Sequence, residues 1–465
     1  MLTVTERLAA WSGGVTLADV PPPVRHAASR HLLDGIGVAV AAARTGAAGP
    51  ALAVARGLEG PPEAVLLGDT RRLGAVAAAF GTGVLVHALD FDDTHAEGLV
   101  HATAAVLPTA LAVGQQVGAR GADVLAAAVV GYEVVCRLAA GSPHGFHARG
   151  LHATAVCAPL AAAAVAAKLL RLDEPATVDA LGIAGSSSGG LLEFLATGAS
   201  TKQLHPGSAA LSGILAARLA AAGSSGPRSV VEGTQGVYAA LSAGPAHPDR
   251  VVRGLADGLG APGTWETQAL TIKPYPCCQL MHGALDAGLQ LLADGVRPVD
   301  VAELLVQLHP DSLAVVGTDA PGKTEPRTAY EAKFALPWTL GALLLDGRVA
   351  LDTYAAPSLA RPAVLDLART VRCVAVPGCG AAADAETRLV AVLTDGTRRE
   401  VAVQGSRGGP RDPLSDAGLV EKFLANTGGG SAAKELADRV LDLAAEESLA
   451  RAVALAAALV QERRS

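Results

Sequence analysis

The sequence predicts a mainly α fold: a large, discontinuous all-helical domain with a smaller α+β domain inserted. Three observations carry this. Half of the 465 residues are hydrophobic but only 3% are aromatic, so Ala and Leu, both good helix formers, supply the apolar content. Apolar residues recur at helical spacing up to about residue 265, and again after Arg407-Gly408-Gly409-Pro410. Between these regions lie short β-type runs with a turn signal. The boundaries read as 1–266, 267–405 and 406–465, and a chain of this length is expected to hold more than one core.

The spacing predicts helices over residues 21–43, 75–89, 122–139, 154–170 and 207–222, separated by Gly and Ser breaks such as Gly118–Gly121. Side chains this small let helices approach closely. In the middle region residues 268–275 and 301–309 read as strands, and 282–292 as a helix. Residues 330–345 read as a helix that Pro337 should start or kink. Residues 370–376, 387–394 and 397–404 read as strands, the last two joined by an Asp395-Gly396 hairpin turn.

Composition excludes several classes. A formal charge of −7 leaves no basic excess for nucleic acid. The apolar stretches are interrupted by charge, as at Glu133 and Arg137, and read as buried core rather than membrane spans. None of the six cysteines forms a C-x-x-C pair, which disfavours structural zinc. The first residues lack the basic and apolar pattern of an export signal, so a cytoplasmic protein with reduced thiols is expected.

Four polar clusters stand out against this apolar background. Residues 87–108, HALDFDDTHAEGLVHATAAVLP, gather Asp90, Asp92, Asp93, Thr94, His95, Glu97 and His101. If helical, Asp90, Asp93 and Thr94 share a face, and a carboxylate beside His101 would make a usable general base. His144, His147, Arg149 and His152 precede a helix start, which suits an anion. Lys202 stands ahead of another helix in STKQLHPG and is the only lysine between Lys168 and Lys273, a natural carboxylate partner. The run KPYPCCQLMH, Lys273–His282, lies near the expected domain boundary. Two other patterns carry less. Gly185-Ser186-Ser187-Ser188-Gly189 fits G-x-S-x-G but follows a helical pattern instead of a strand. The D-x-D-D-x-H run lacks the glycine and terminal Glu of a calcium loop, so no metal is expected.

Taken together, the ordered pieces HALDFDDTHAEGLVHATAAVLP, RGLHATAVCAPLAAAAVAAKLL, TKQLHPGSAALSGILAARLAAAG, GPRSVVEGTQG, KPYPCCQLMH and YEAKFALPW resemble the MmgE/PrpD family of dehydratases, decarboxylases and epimerases. The resemblance implies a helical domain with an α+β lid, a homodimer, an active site between the domains, and no metal or organic cofactor. It places the family's catalytic Asp, the two histidines and the Lys on Asp90, His101, His152 and Lys202. Substrate-binding positions would be Thr94, Arg149, Cys278 and His282. The decarboxylase branch carries a His where this chain has Cys278, so dehydration of a small di- or tricarboxylic acid, of the 2-methylcitrate type, is the expected reaction. Decarboxylation, epimerisation or non-catalytic carboxylate binding are the alternatives. Ala102 and Ser208 also depart from the family pattern.

Overall fold

The computed structural model describes residues 2–255, 259, 264–317, 322–377 and 380–461. The chain is mostly helical and separates into two compact units. The first comprises Met1–Phe194, Thr201–Ile272 and Ser415–Ser465; the second comprises Leu195–Ser200 and Lys273–Leu414.

Small residues set the packing of the first unit. In the helix Thr201–Ala221 the buried positions Gly207, Ala210, Gly213, Ile214, Ala217 and Ala220 recur every three or four residues. A Cβ on Gly207 would lie 2.4 Å from the Phe80 carbonyl oxygen, and one on Gly83 would lie 2.8 Å from the Gly207 Cα. The helices Ala75–His87 and Thr201–Ala221 therefore touch backbone to backbone. On another side of the same helix, a Cβ on Gly213 would meet Ala162 and Ala163 of the helix Ala153–Leu169 at 2.4 and 2.6 Å. Charges within this core are paired. Glu133 holds Arg137 at 2.9 Å and accepts from Thr267, while Arg137 donates to the carbonyls of Arg253 and Thr264. Among the described residues no single helix is long and apolar enough to cross a membrane.

The second unit has a mixed four-stranded sheet ordered Val371–Ala375, Val301–Leu308, Glu386–Leu393, Arg398–Gln404. The first pair is parallel and the others antiparallel. Strand Val301–Leu308 alternates, burying Val301, Leu304, Val306 and Leu308 in a core that also holds Leu285, Trp338 and Leu389.

Helices at 22–45, 75–87, 121–140 and 153–169 fall within a residue or two of the expected spans. Three expectations need correction. The run 268–275 is a short 3₁₀ turn followed by a two-residue strand, Leu270–Thr271, paired with Thr94–His95; two prolines end the extended stretch. The 330–345 helix is broken into Ala329–Ala332 and Leu336–Asp346, with Pro337 in the first turn of the second piece, where its missing N–H costs nothing. The helix expected from Gly207 begins at Thr201, so Lys202 and His205 lie in its first turns and Pro206 is accommodated inside it.

Candidate active site

Three helix starts and one helix end build the site, all within the first unit. The helix Ala75–His87 ends on His87. After the acidic loop, His101 precedes Ala102, the N-cap of the helix Thr103–Val117. His152 caps the N-terminus of Ala153–Leu169, and Lys202 and His205 open Thr201–Ala221. Helix N-termini carry unpaired N–H groups and a partial positive charge.

The acidic loop is not helical. Asp90 takes a left-handed backbone, φ 52°, a conformation that Asp tolerates better than most residues. The turn separates the carboxylates instead of stacking them on one face. Asp90 Oδ1 accepts from Lys202 Nζ at 2.8 Å, both side chains being buried. Asp92 Oδ2 lies 2.8 Å from His87 Nδ1 and 3.7 Å from His101 Nδ1. Asp93 turns away into the core. It accepts from the backbone and hydroxyl of Thr103 at 3.0 and 2.5 Å, and its Oδ2 lies 3.1 Å from His31. The Thr103 hydroxyl in turn meets Tyr132 at 2.9 Å. These contacts hold the Asp93 carboxyl below its ordinary range although burial pushes it up. Asp93 thus anchors the start of the helix after His101. His95 and Glu97 also have structural partners: His95 pairs with Glu266 at 3.0 Å, and Arg250 joins Glu266 and Glu97.

The imidazoles converge. Ring centroids are 4.6 Å apart for His87 and His101, 5.8 Å for His87 and His152, and 5.7 Å for His101 and His152. His205 is 5.2 Å from His152, with the two Nδ1 atoms 3.0 Å apart. Phe194 stands edge-on to both rings.

Hydrogen bonds fix the protons. His101 Nδ1 is 2.9 Å from the Asp93 carbonyl oxygen, which only accepts, so this nitrogen donates and Nε2 is the basic one. Thr94 Oγ1 stands 3.3 Å from the same Nδ1. Burial, and next Lys202, push His152 well below the ordinary imidazole value; burial chiefly takes His205 down to about 4. Both are therefore uncharged at neutral pH.

Asp90, Thr94, His101, His152 and Lys202 are thus gathered in one place. Arg149 is exposed at the end of the short helix Gly145–Ala148. Cys278 and His282 belong to the second unit, where the Cys278 N–H donates to the Lys333 carbonyl and the fully buried His282 meets the Cys277 carbonyl oxygen at 3.2 Å. Ser208 is exposed, whereas Ala102 is buried beside His101. Sequence reasoning passed over His87 and His205 as site residues. Both stand inside the quoted motifs, His87 five residues before an Asp and His205 three after Lys202, and that spacing was the available signal. By distance, His87, His101 and His152 could hold a metal ion, as could Asp90, Asp92 and His101, each group having its donor atoms within 4.8 Å of one another.

Comparison with known proteins fits this geometry into a family. The model of the MmgE/PrpD N-terminal domain matches residues 6–249, and that of the MmgE/PrpD C-terminal domain residues 275–447. A cis-aconitate decarboxylase of Aspergillus terreus (strain NIH 2624 / FGSC A1156) is 27% identical over 466 residues, covering 95% of this chain and 93% of the relative. The cis-aconitate decarboxylase of Mus musculus is 30% identical over 369 residues, covering 76% and 72%. A cis-aconitate decarboxylase-like protein of Aspergillus oryzae is 29% identical over 444 residues, covering 90% and 89%. Both family domains are matched in order over most of the sequence: the chain belongs to the MmgE/PrpD family.

Proposed function

We propose that this protein is a lyase of small tricarboxylic acids that removes a proton from the carbon beside a carboxylate and then expels water, without a metal or organic cofactor. One observation carries the reading: the buried imidazoles of His101 and His152, the latter uncharged, and the Lys202–Asp90 pair meet where three helices begin. Helix N-termini and an ammonium suit carboxylates, and neutral imidazoles suit proton transfer. The names of the relatives support a tricarboxylate substrate.

In this reading His101 Nε2 takes the carbon-bound proton, because its Nδ1 is already committed as a donor. Negative charge then develops on the adjacent carboxylate. The buried Lys202 ammonium, held by Asp90, supplies the positive charge that meets it. The C–O bond breaks, an alkene forms, and the departing hydroxide takes a proton from His152 to leave as water. His205 permits this if its Nδ1 donates to His152 Nδ1, which puts the His152 proton on Nε2. Thr94 steadies His101. The same reading treats the helical part as one discontinuous domain with the α+β part inserted, and the active protein as a cytoplasmic homodimer.

Decarboxylation is the second reading, favoured by the relatives' names; Cys278, in place of the decarboxylase histidine, favours dehydration. Purified protein incubated with hydroxy- and alkene-tricarboxylates separates them. Alkene absorbance marks dehydration and released carbon dioxide marks decarboxylation. Lys202→Ala and His152→Ala should each lower the rate by about 10²-fold or more, and a chelator should leave it unchanged. Absence of product and of solvent-deuterium uptake across the panel would refute the lyase reading.

A further inference from the structure

We propose that His87 is a third substrate-facing imidazole whose Nε2 accepts a hydrogen bond from a hydroxyl on the substrate, so that it separates hydroxy acids from acids lacking that group. The inference rests on the reading above for its ligand class, a small polycarboxylate.

His87 is 2% exposed and its ring lies against His101 and His152. Its Nδ1 is 2.8 Å from Asp92 Oδ2. A carboxylate only accepts, so Nδ1 carries the proton and Nε2 presents a lone pair. Among the described residues that Nε2 has no hydrogen-bond partner, and neither has Asp92 Oδ1. Buried polar atoms in native proteins have partners, so an unmatched acceptor inside a functional cluster marks where a ligand group belongs.

The chemistry of the atom narrows the group. A lone pair does not bond to a carboxylate oxygen, which is also an acceptor; it requires a donor. On a citrate-like acid at neutral pH, the hydroxyl is that donor. The backbone agrees, because His87 ends its helix and the negative end of a helix repels carboxylates. Lys202 and the helix starts at His101 and His152 would take the carboxylates, leaving the hydroxyl to His87. Asp92 is then a positioning residue: it acts through the ring by fixing its tautomer.

The test compares binding of citrate with binding of propane-1,2,3-tricarboxylate, the same acid without the hydroxyl, by calorimetry. The wild type should favour citrate by about tenfold or more, since a site built around a hydroxyl rejects its deoxy analogue. His87→Leu should bring the ratio close to one, and His87→Gln, whose amide oxygen still accepts, should retain part of it. A measurement on the unaltered protein guards against misfolded variants: ring ¹⁵N shifts should show His87 Nε2 unprotonated and should respond to citrate but not to the deoxy acid. Equal binding of both acids by the wild type, an unchanged ratio in His87→Leu, or a protonated Nε2 would overturn the proposal; a water as the sole partner of Nε2 would give the first result. Discrimination without turnover would keep this inference and sink the lyase reading, and turnover without discrimination would do the reverse.

Discussion

Replacing Lys422 with Met should destabilise the helical unit and slow the enzyme, although Lys422 is not one of the site imidazoles or their paired groups. Lys422 lies in the helix Asp416–Thr427. Its ammonium is 2.6 Å from Asp34 Oδ1 in the long helix Pro22–Thr45, and the two side chains are 8% and 2% exposed. It also donates to the Phe91 carbonyl at 3.1 Å and sits 3.9 Å from the centroid of the Phe91 ring. Phe91 separates Asp90 from Asp92, so one cation ties two distant helices to the acidic loop. Removing it leaves Asp34 buried without this counter-charge, a change that costs about 3–5 kcal/mol. The double variant Asp34→Leu, Lys422→Met carries no buried charge at this point and should recover most of that loss. In a Trp338→Phe background the remaining indoles, Trp11 and Trp265, both lie in the helical unit, so urea unfolding followed by fluorescence reports on it alone. The penalty should also grow with pH. Burial already raises the Asp34 carboxyl above its ordinary 3.8 against the pull of Lys422, and without Lys422 it rises further. Between 3.8 and that raised value the folded state holds a proton that the unfolded chain has lost, so stability falls as pH rises. An unchanged midpoint in Lys422→Met, or a double variant no more stable than the single, would refute this account.

Other consequences follow from the same geometry. Gly207→Ala forces a methyl group against the Phe80 carbonyl oxygen, where two helices touch backbone to backbone. It should cost about 1–3 kcal/mol by urea denaturation and lower kcat as Lys202 and His205 shift with their helix, whereas Ser208→Ala, on the exposed side, should change stability by less than about 0.5 kcal/mol. His152 and His205 stay neutral in the fold at a pH where an unfolded imidazole, with its ordinary 6.5, is charged. Their contribution is complete above 6.5 and is lost as pH falls, down to about 4 for His205, and a series of denaturation midpoints should show that slope. A bound polycarboxylate favours the charged imidazoles, so calorimetry in buffers of different ionisation enthalpy should reveal proton uptake on binding near pH 6, and release would contradict the placement of the anion.

Much of this was legible in the residues. The helices were readable because Ala and Leu at regular spacing between Gly breaks leave few alternatives. Asp90, His101, His152 and Lys202 were readable because polar groups amid apolar sequence need partners, and the family motifs supplied their order. The acidic loop was not. Helical spacing suggested a shared face, but Asp90 enters the left-handed region and the carboxylates go separate ways, to Lys202, His87 and Thr103. Those partners stand 112, 5 and 10 residues from the respective aspartates, and local periodicity encodes none of these pairings. His87 was missed because it closes an almost purely apolar helix. The 268–275 strand was over-read because β propensity reflects the surface a strand packs on, and here only Leu270 and Thr271 find a partner strand.

The arrangement also resolves an electrostatic difficulty. Among the described residues, two buried carboxylates, Asp90 and Asp92, and the Lys202 ammonium lie in the cluster, and burial holds His152 uncharged. By side-chain charge alone this pocket of residues would repel a polyanion. What compensates is backbone: each helix start contributes about half a positive charge, and three helices begin at or just after His101, His152 and Ser200. Charged side chains in those roles would raise the carboxylates' affinity but would also attract the aspartates needed to orient His87 and Lys202. Dipoles fixed by helix geometry cannot collapse onto them. The small residues that let these helices pack backbone to backbone are therefore part of the chemistry as well as the fold, since Gly83 and Gly207 set how closely the end of one helix, bearing His87, approaches the start of the other, bearing Lys202.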